Sequence, residues 1–213
     1  MLEMPNIVQD ESRHSVPPAV EAVEYLDVRF NGTLHKPSVF KGEPSPELDA
    51  AWNSIIFIMK PLQISSETLA KLGKDKRPSL TRLPGEYGGD YLASMEITHH
   101  LHCLNMLRKY LDYDYYKATD VAMQADPVSY RMHLGTPHHC VDILRQQLLC
   151  NADTGFITYD WVKGKDIPFP DFNTWHKCKN IDKIVAWNHQ HEVRIPYGRL
   201  ARTEGVVDLE ETP

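Results

Sequence analysis

No run of apolar residues approaches the roughly twenty needed to cross a bilayer, and the first residues, MLEMPNIVQDESRHS, lack the apolar stretch of a secretory leader. Positive charge is not in excess either. The 23 Lys and Arg against 29 Asp and Glu leave a net charge of −6 and a pI near 6.0, so there is no basic footprint for nucleic acid. Gly-rich dinucleotide turns, phosphate-cradling loops and strand–helix alternation are missing, which disfavours nucleotide-cofactor folds. Cysteine is scarce, with four in 213 residues, in a chain long enough to bury a core without disulfide staples. These absences point to an acidic protein with no membrane anchor in this chain. It is cytoplasmic, or lumenal in the secretory pathway if a leader has been removed. The sequon Asn31-Gly32-Thr33, set among turn residues, favours the lumen and a glycan on Asn31.

Prolines at 5, 17, 18, 37 and 44 interrupt any long helix early in the chain. Residues 1–45 therefore read as an extended proline-rich arm, with room for one strand. Ser45-Pro46-Glu47 is a cap followed by proline at the first helical position, opening a helix to about Met59 with Trp52, Ile55, Ile56 and Met59 inward. A short helix follows from Ser66, then a loop rich in Gly, Pro and charge. Residues 92–113 contain neither proline nor glycine, and Leu101, Leu104, Leu107 and Leu111 recur at helical spacing. Thr136-Pro137 opens another helix through Cys150, FITYDWV has the makings of a brief strand, and Ile181–His191 reads as a last helix with Ile184 and Trp187 inward. The expected fold class is mainly α with a few short strands. It is a single domain, residues 46–213, built around two histidine-bearing helices.

Those two helices repeat each other. His102-Cys103 and His139-Cys140 lie 37 positions apart, and the same offset superposes Leu107-Arg108 on Leu144-Arg145. At about 100° per residue, with His99 at zero, His102 falls near 300° and Cys103 near 40°. The leucines group between about 80° and 140°. His99, His102 and Cys103 thus share a helix face, at a spacing that lets two imidazoles reach one ion. His139 holds the equivalent place on the second helix, with His138 beside it and His133 upstream. Packed helices build metal centres in this way, so the candidate ligands are His99, His102, His133, His138 and His139, with His99, His102 and His139 as the catalytic set.

Imidazole suits copper, zinc, iron and nickel alike, while thiolate favours zinc or copper(I). Cys103, Cys140, Cys150 and Cys178 are each open to a role as ligand, disulfide or inert thiol. In an oxidising compartment either Cys103–Cys140 or Cys150–Cys178 is expected to pair. An open all-histidine site favours redox copper, one or two ions, over zinc. Two other classes stay open: a metal-free cyclase or isomerase using histidines for acid–base work, and a zinc-stapled accessory protein without turnover. The paired arginines have a structural account, an ion pair with acids such as Asp142. Tyr110, Tyr113, Tyr115 and Tyr116 read as packing residues, or as the lining of a pocket.

The sequence resembles the UstYa-like family of fungal secondary-metabolite tailoring proteins, marked by two HxxHC motifs. His99-His100-Leu101-His102-Cys103 looks like the first motif, and His139-Cys140, with Asp142, Leu144-Arg145-Gln146 and Cys150, looks like the second. GEPSPELDAAW, NADTGFITYDWV and TWHKCKNIDKIVAW are similar to the family's flanking segments. One departure matters: Thr136 stands where the second motif opens with histidine. The resemblance implies copper-dependent oxidative tailoring of a peptide or small metabolite by ring closure, desaturation, hydroxylation or halogenation, as in mycotoxin biosynthesis. A homo- or heterodimer is also compatible with it.

Overall fold

The computed structural model describes residues 18–34, 37–74, 79–125, 137–196, 200, 202 and 205–210. The expected mix of helices with a few short strands is present. In chain order these are β1 (Tyr25–Arg29), α1 (Pro46–Ile56), β2 (Leu62–Ile64), α2 (Ser66–Lys71), β3 (Tyr91–Ala93), α3 (Glu96–Leu111), α4 (Tyr113–Thr119), α5 (Val121–Ala125), α6 (Pro137–Cys150), β4 (Thr158–Asp160), β5 (Phe169–Asp171), β6 (Trp175–Lys179) and α7 (Ile181–His191). Each described sheet is a two-stranded antiparallel ribbon: β1 with β6, β2 with β3 and β4 with β5. The chain divides into two compact units. One takes Met1–Val23, Lys60–Ser94 and Ile181–Pro213, the other Glu24–Met59 and Met95–Asn180.

In the first unit the last helix is tied to the start of β2 through one side chain. Asn188 is 0% exposed; its Oδ1 accepts from the Lys60 backbone N–H at 2.8 Å and its Nδ2 donates to the Lys60 carbonyl at 3.0 Å. The Val193 N–H donates to the Pro61 carbonyl at 2.9 Å and extends the seam. Asn188, not Trp187, is the inward residue of this turn. The indole is half-buried, stacks on His191 and donates to Glu21 Oε1 at 2.6 Å, because an aromatic N–H needs a polar partner that a closed core would deny it. Asn188→Ala orphans a buried N–H and a buried carbonyl together, and chemical denaturation is expected to register a loss of about 1–3 kcal/mol. A change within a few tenths of a kcal/mol would show the clamp to be unimportant.

The second unit carries the histidine helices. Ser45 caps α1 by accepting from the Leu48 N–H at 3.1 Å with Pro46 behind it, as the sequence predicts. Leu48, Trp52 and Ile56 form an apolar cluster against which Leu101 of α3 packs. A second cluster, Cys103, Met106, Tyr116, Met123 and Cys140, with Leu107, Ile143 and Leu144 around it, seals α3 to α6. Packed on two sides, α3 uses only part of the predicted leucine stripe: Leu101 and Leu107 pack against the two clusters, while Leu104 is 43% and Leu111 85% exposed. The buried positions are Cys103, Asn105 and Met106. The helix also starts later than its proline-free run implies, since Tyr91–Ala93 is drawn into the ladder with β2.

The repeat-equivalent arginines have different surroundings. Arg108 donates to Asp49 at 2.6 Å, to the Tyr116 hydroxyl at 2.5 Å and to Asn105 at 2.9 Å, and its guanidinium lies over the Trp52 and Tyr116 rings. Arg145 pairs with Asp142 at 2.8 Å on an exposed surface. Tyr116 is core, whereas Tyr110 and Tyr115 are exposed. Tyr115 and Tyr116 border a hollow of about 320 Å³ with Asp49, Asn53, Lys109 and Asp120; among the described residues, no histidine lines it.

Candidate metal centre

α3 and α6 bring three of the predicted residues to one point. Cys103 Sγ lies 3.6 Å from His99 Nε2, one helical turn away, and His139 Nε2 of α6 lies 3.4 Å from the same nitrogen. The donor atoms of His99, Cys103 and His139 all fall within 4.8 Å of one another. Two imidazole nitrogens facing each other at this range repel unless a proton or a cation lies between them. Donors bound tetrahedrally at about 2.0–2.3 Å stand roughly 3.3–3.8 Å apart, which matches the 3.4 and 3.6 Å separations. The set is nitrogen and sulfur, which fits copper or zinc and not magnesium or calcium.

His102 is exposed and outside this group. It stands about 60° from His99 round the helix. His133 and Thr136 lie outside the described residues, as does the side chain of His138. A residue the motif reading passed over is Glu96. Its Oε2 lies 3.8 Å from His99 Nδ1 and 3.9 Å from His100 Nε2. A carboxylate on the nitrogen opposite the donor fixes tautomer and ring orientation in histidine metal sites. The signal was available, because Glu96 and His99 are three apart on one helix.

The expected disulfides are not formed: all four cysteines are thiols. Cys103 and Cys140 do meet across the α3–α6 seam, in one buried cluster. Cys150, at the end of α6, is exposed and Cys178 on β6 is half-buried. Burial, and next the contact with Cys140, pushes the Cys103 thiol from its ordinary 9.0 up to about 12. The folded chain keeps that proton where the unfolded chain releases it. This contribution is therefore full below about pH 9 and fades as pH climbs toward 12. Tyr116, raised from 10.0 to about 12 by burial first and then by its bond to Asp49, works in the same direction. Thermal unfolding of metal-free protein is expected to weaken steadily across that alkaline window, with Cys103→Ala flattening the early part and Tyr116→Phe the later part. A profile level up to pH 12 in the parent chain would contradict it. Because a cation replaces the thiol proton, metal affinity should rise with pH.

Near the sequon, Asn31 is exposed, Thr33 Oγ1 donates to Asn173 Oδ1 at 3.0 Å, and a β-carbon on Gly32 would lie 2.3 Å from the Phe172 carbonyl oxygen. Only glycine fits there. No described helix is long and apolar enough to cross a membrane.

Residues 3–191 match the family described as "Mycotoxin biosynthesis protein UstYa". The chain is 37% identical over 189 residues to UstYa family oxidase aprY of Aspergillus flavus, covering 83% of this chain and 55% of that protein. It is 31% identical over 159 residues to UstYa family oxidase phomYc of Diaporthe leptostromiformis, covering 72% and 59%. It is 25% identical over 185 residues to a protein named transacylase cctO from Talaromyces islandicus, covering 83% and 60%. The chain thus spans little more than half the length of the curated relatives it matches. No solved structure matches. With the family match running through α3 and α6 and on to the end of α7, the chain belongs to the UstYa family.

Proposed function

We propose that the chain is the catalytic part of a copper-dependent oxidase that tailors a fungal natural product, either a peptide or a small metabolite. The observation that carries this reading is the convergence of His99, Cys103 and His139 from two helices. The oxidase names of its relatives support it. His99 and His139 present Nε2, Cys103 presents sulfur, and the exposed Glu96 carboxylate lies 3.8 Å from His99 Nδ1. His102 and the neighbours His133 and His138 are the remaining candidates for a second ion. Bound copper would supply one-electron chemistry with dioxygen or peroxide. The residues' own task is to fix the donor geometry and to keep an open position toward the substrate. Ring closure, desaturation, hydroxylation and halogenation all fall within this chemistry.

A second reading takes its support from the relative named a transacylase and from the 3.4 Å His99–His139 contact, which accommodates a shared proton. Here the pair does acid–base work without metal. Elemental analysis with electron paramagnetic resonance on the isolated protein, followed by turnover before and after exhaustive chelation, separates the two. Stoichiometric copper, with turnover lost on chelation and restored by Cu(II), is expected. Turnover that survives chelation selects the acid–base reading, and tightly held zinc with no turnover selects a stapled scaffold. We place the protein in the secretory lumen, with the exposed Asn31 as glycan acceptor, and pair it with a second copy or a related chain. Leu148, Phe156, Trp161 and Trp175 are the exposed apolar residues that favour such a partner.

A further inference from the structure

Apart from the histidine helices, the loop after α6 and the strand β6 assemble another ordered cluster. Asp153 Oδ2 lies 2.5 Å from His176 Nδ1, and His176 Nε2 lies 2.8 Å from Thr174 Oγ1. Each member is held from a further side. The Gly155 N–H donates to Asp153 Oδ1 at 2.7 Å. The Phe30 ring stacks on the imidazole, centroids 3.7 Å apart, and the Phe30 N–H donates to the Thr174 carbonyl at 2.9 Å. Thr174 and His176 are two apart in an extended segment, so their side chains leave on the same face.

The chemistry of this arrangement has a direction. The Gly155 N–H first, and then His176, hold the Asp153 carboxyl below the usual carboxylate range, so it is ionised at neutral pH. An ionised acceptor at Nδ1 fixes the ring proton there and leaves the Nε2 lone pair for the Thr174 hydroxyl. The His176 side chain is only 15% exposed and is fixed at both nitrogens and on one face. An ordered hydroxyl, imidazole and carboxylate is what activates a weak alcohol as a nucleophile.

We propose that Thr174, His176 and Asp153 form an acyl-transfer relay, a site separate from the histidine helices, that takes an ester or thioester substrate. Thr174 Oγ1 bonds to the acyl carbon while its proton passes to His176 Nε2. The bond from that carbon to the leaving alcohol or thiol then breaks, and the leaving group takes the proton from Nε2, giving an ester on Thr174. An amine, a hydroxyl or water attacks this ester, surrenders its proton to Nε2, and Thr174 leaves with it. One acyl group has moved, with no net proton or electron change.

The probe is p-nitrophenyl acetate, applied to the full chain after chelation so that the result does not depend on the metal reading. A burst of about one equivalent of p-nitrophenolate is expected, together with an acetyl group located on Thr174 by peptide mass spectrometry. Thr174→Val and His176→Gln should abolish the burst, and Asp153→Asn should slow it by at least about 100-fold. Thr174→Ser should keep it, as should Lys177→Gln at an exposed neighbour on β6. If Thr174→Val does not fold, the location of the acetyl group in the parent chain and the Thr174→Ser burst still decide. No burst, acetylation confined to lysines, or an undiminished burst in folded Thr174→Val or His176→Gln would overturn the proposal.

Discussion

His139→Ala and His99→Ala are each expected to weaken copper or zinc binding by more than about 100-fold, while His102→Ala leaves it within a few-fold. Even partners that merely orient a ligand cost 10–100-fold when removed, and these two residues supply donor atoms from opposite helices. His139 is exposed, so its truncation opens no cavity and should leave stability within about 0.5 kcal/mol; lost metal then cannot be ascribed to unfolding. His102 belongs to the motif but not to the converging group. Titration against a competing chromophoric chelator, read per chain, distinguishes the three variants. Equal loss in His102→Ala would mean that the ion is held by the motif as a whole and not by the three-residue group described.

Arg108→Met should destabilise the second unit by about 3 kcal/mol or more, and Arg145→Met by less than about 0.5 kcal/mol, although the two arginines occupy equivalent positions of the repeat. Removing one partner of a buried pair leaves the other charge uncompensated, at a cost of about 3–5 kcal/mol. Arg108 is 12% exposed and its partner Asp49 29%, which puts the expectation at the lower end. The loss also takes the Arg108 donor from Asn105 and from the Tyr116 hydroxyl, which keeps only its bond to Asp49, on a side chain 1% exposed. Arg145 and Asp142 are about half exposed, where exposed pairs contribute little. Urea denaturation of both variants measures the contrast, and equal midpoints would refute it.

The sequence predicts those parts of the structure that are set by local chemistry. Ser45-Pro46 starts α1 where capping requires it, α6 ends at Cys150, and α7 spans Ile181–His191 as its periodicity indicates. The pairing of the two histidine helices follows from the repeat, because each copy has an apolar edge beside its His-Cys pair. The choice of ligand rotamer face does not follow. The sequence leaves open which of His99 and His102 meets His139; it is His99, because α1 also packs against α3 and fixes its rotation. The same cause exposes Leu104 and Leu111. Pairing of Tyr25 with Lys179 in the β1–β6 ribbon, and the approach of Asp153 to His176, depend on contacts remote in sequence that leave no periodic trace.

The three donors are not equally sheltered. Sulfur lies at the bottom, with Cys103 1% exposed, while the His99 side chain is 41% open and His139 stands at the surface. An ion would therefore be anchored from within and wetted from one side only. Small chelators and hydrated cations can reach it by ligand exchange while the helices stay folded, so the chain should take up and give back its metal reversibly, following the supply around it.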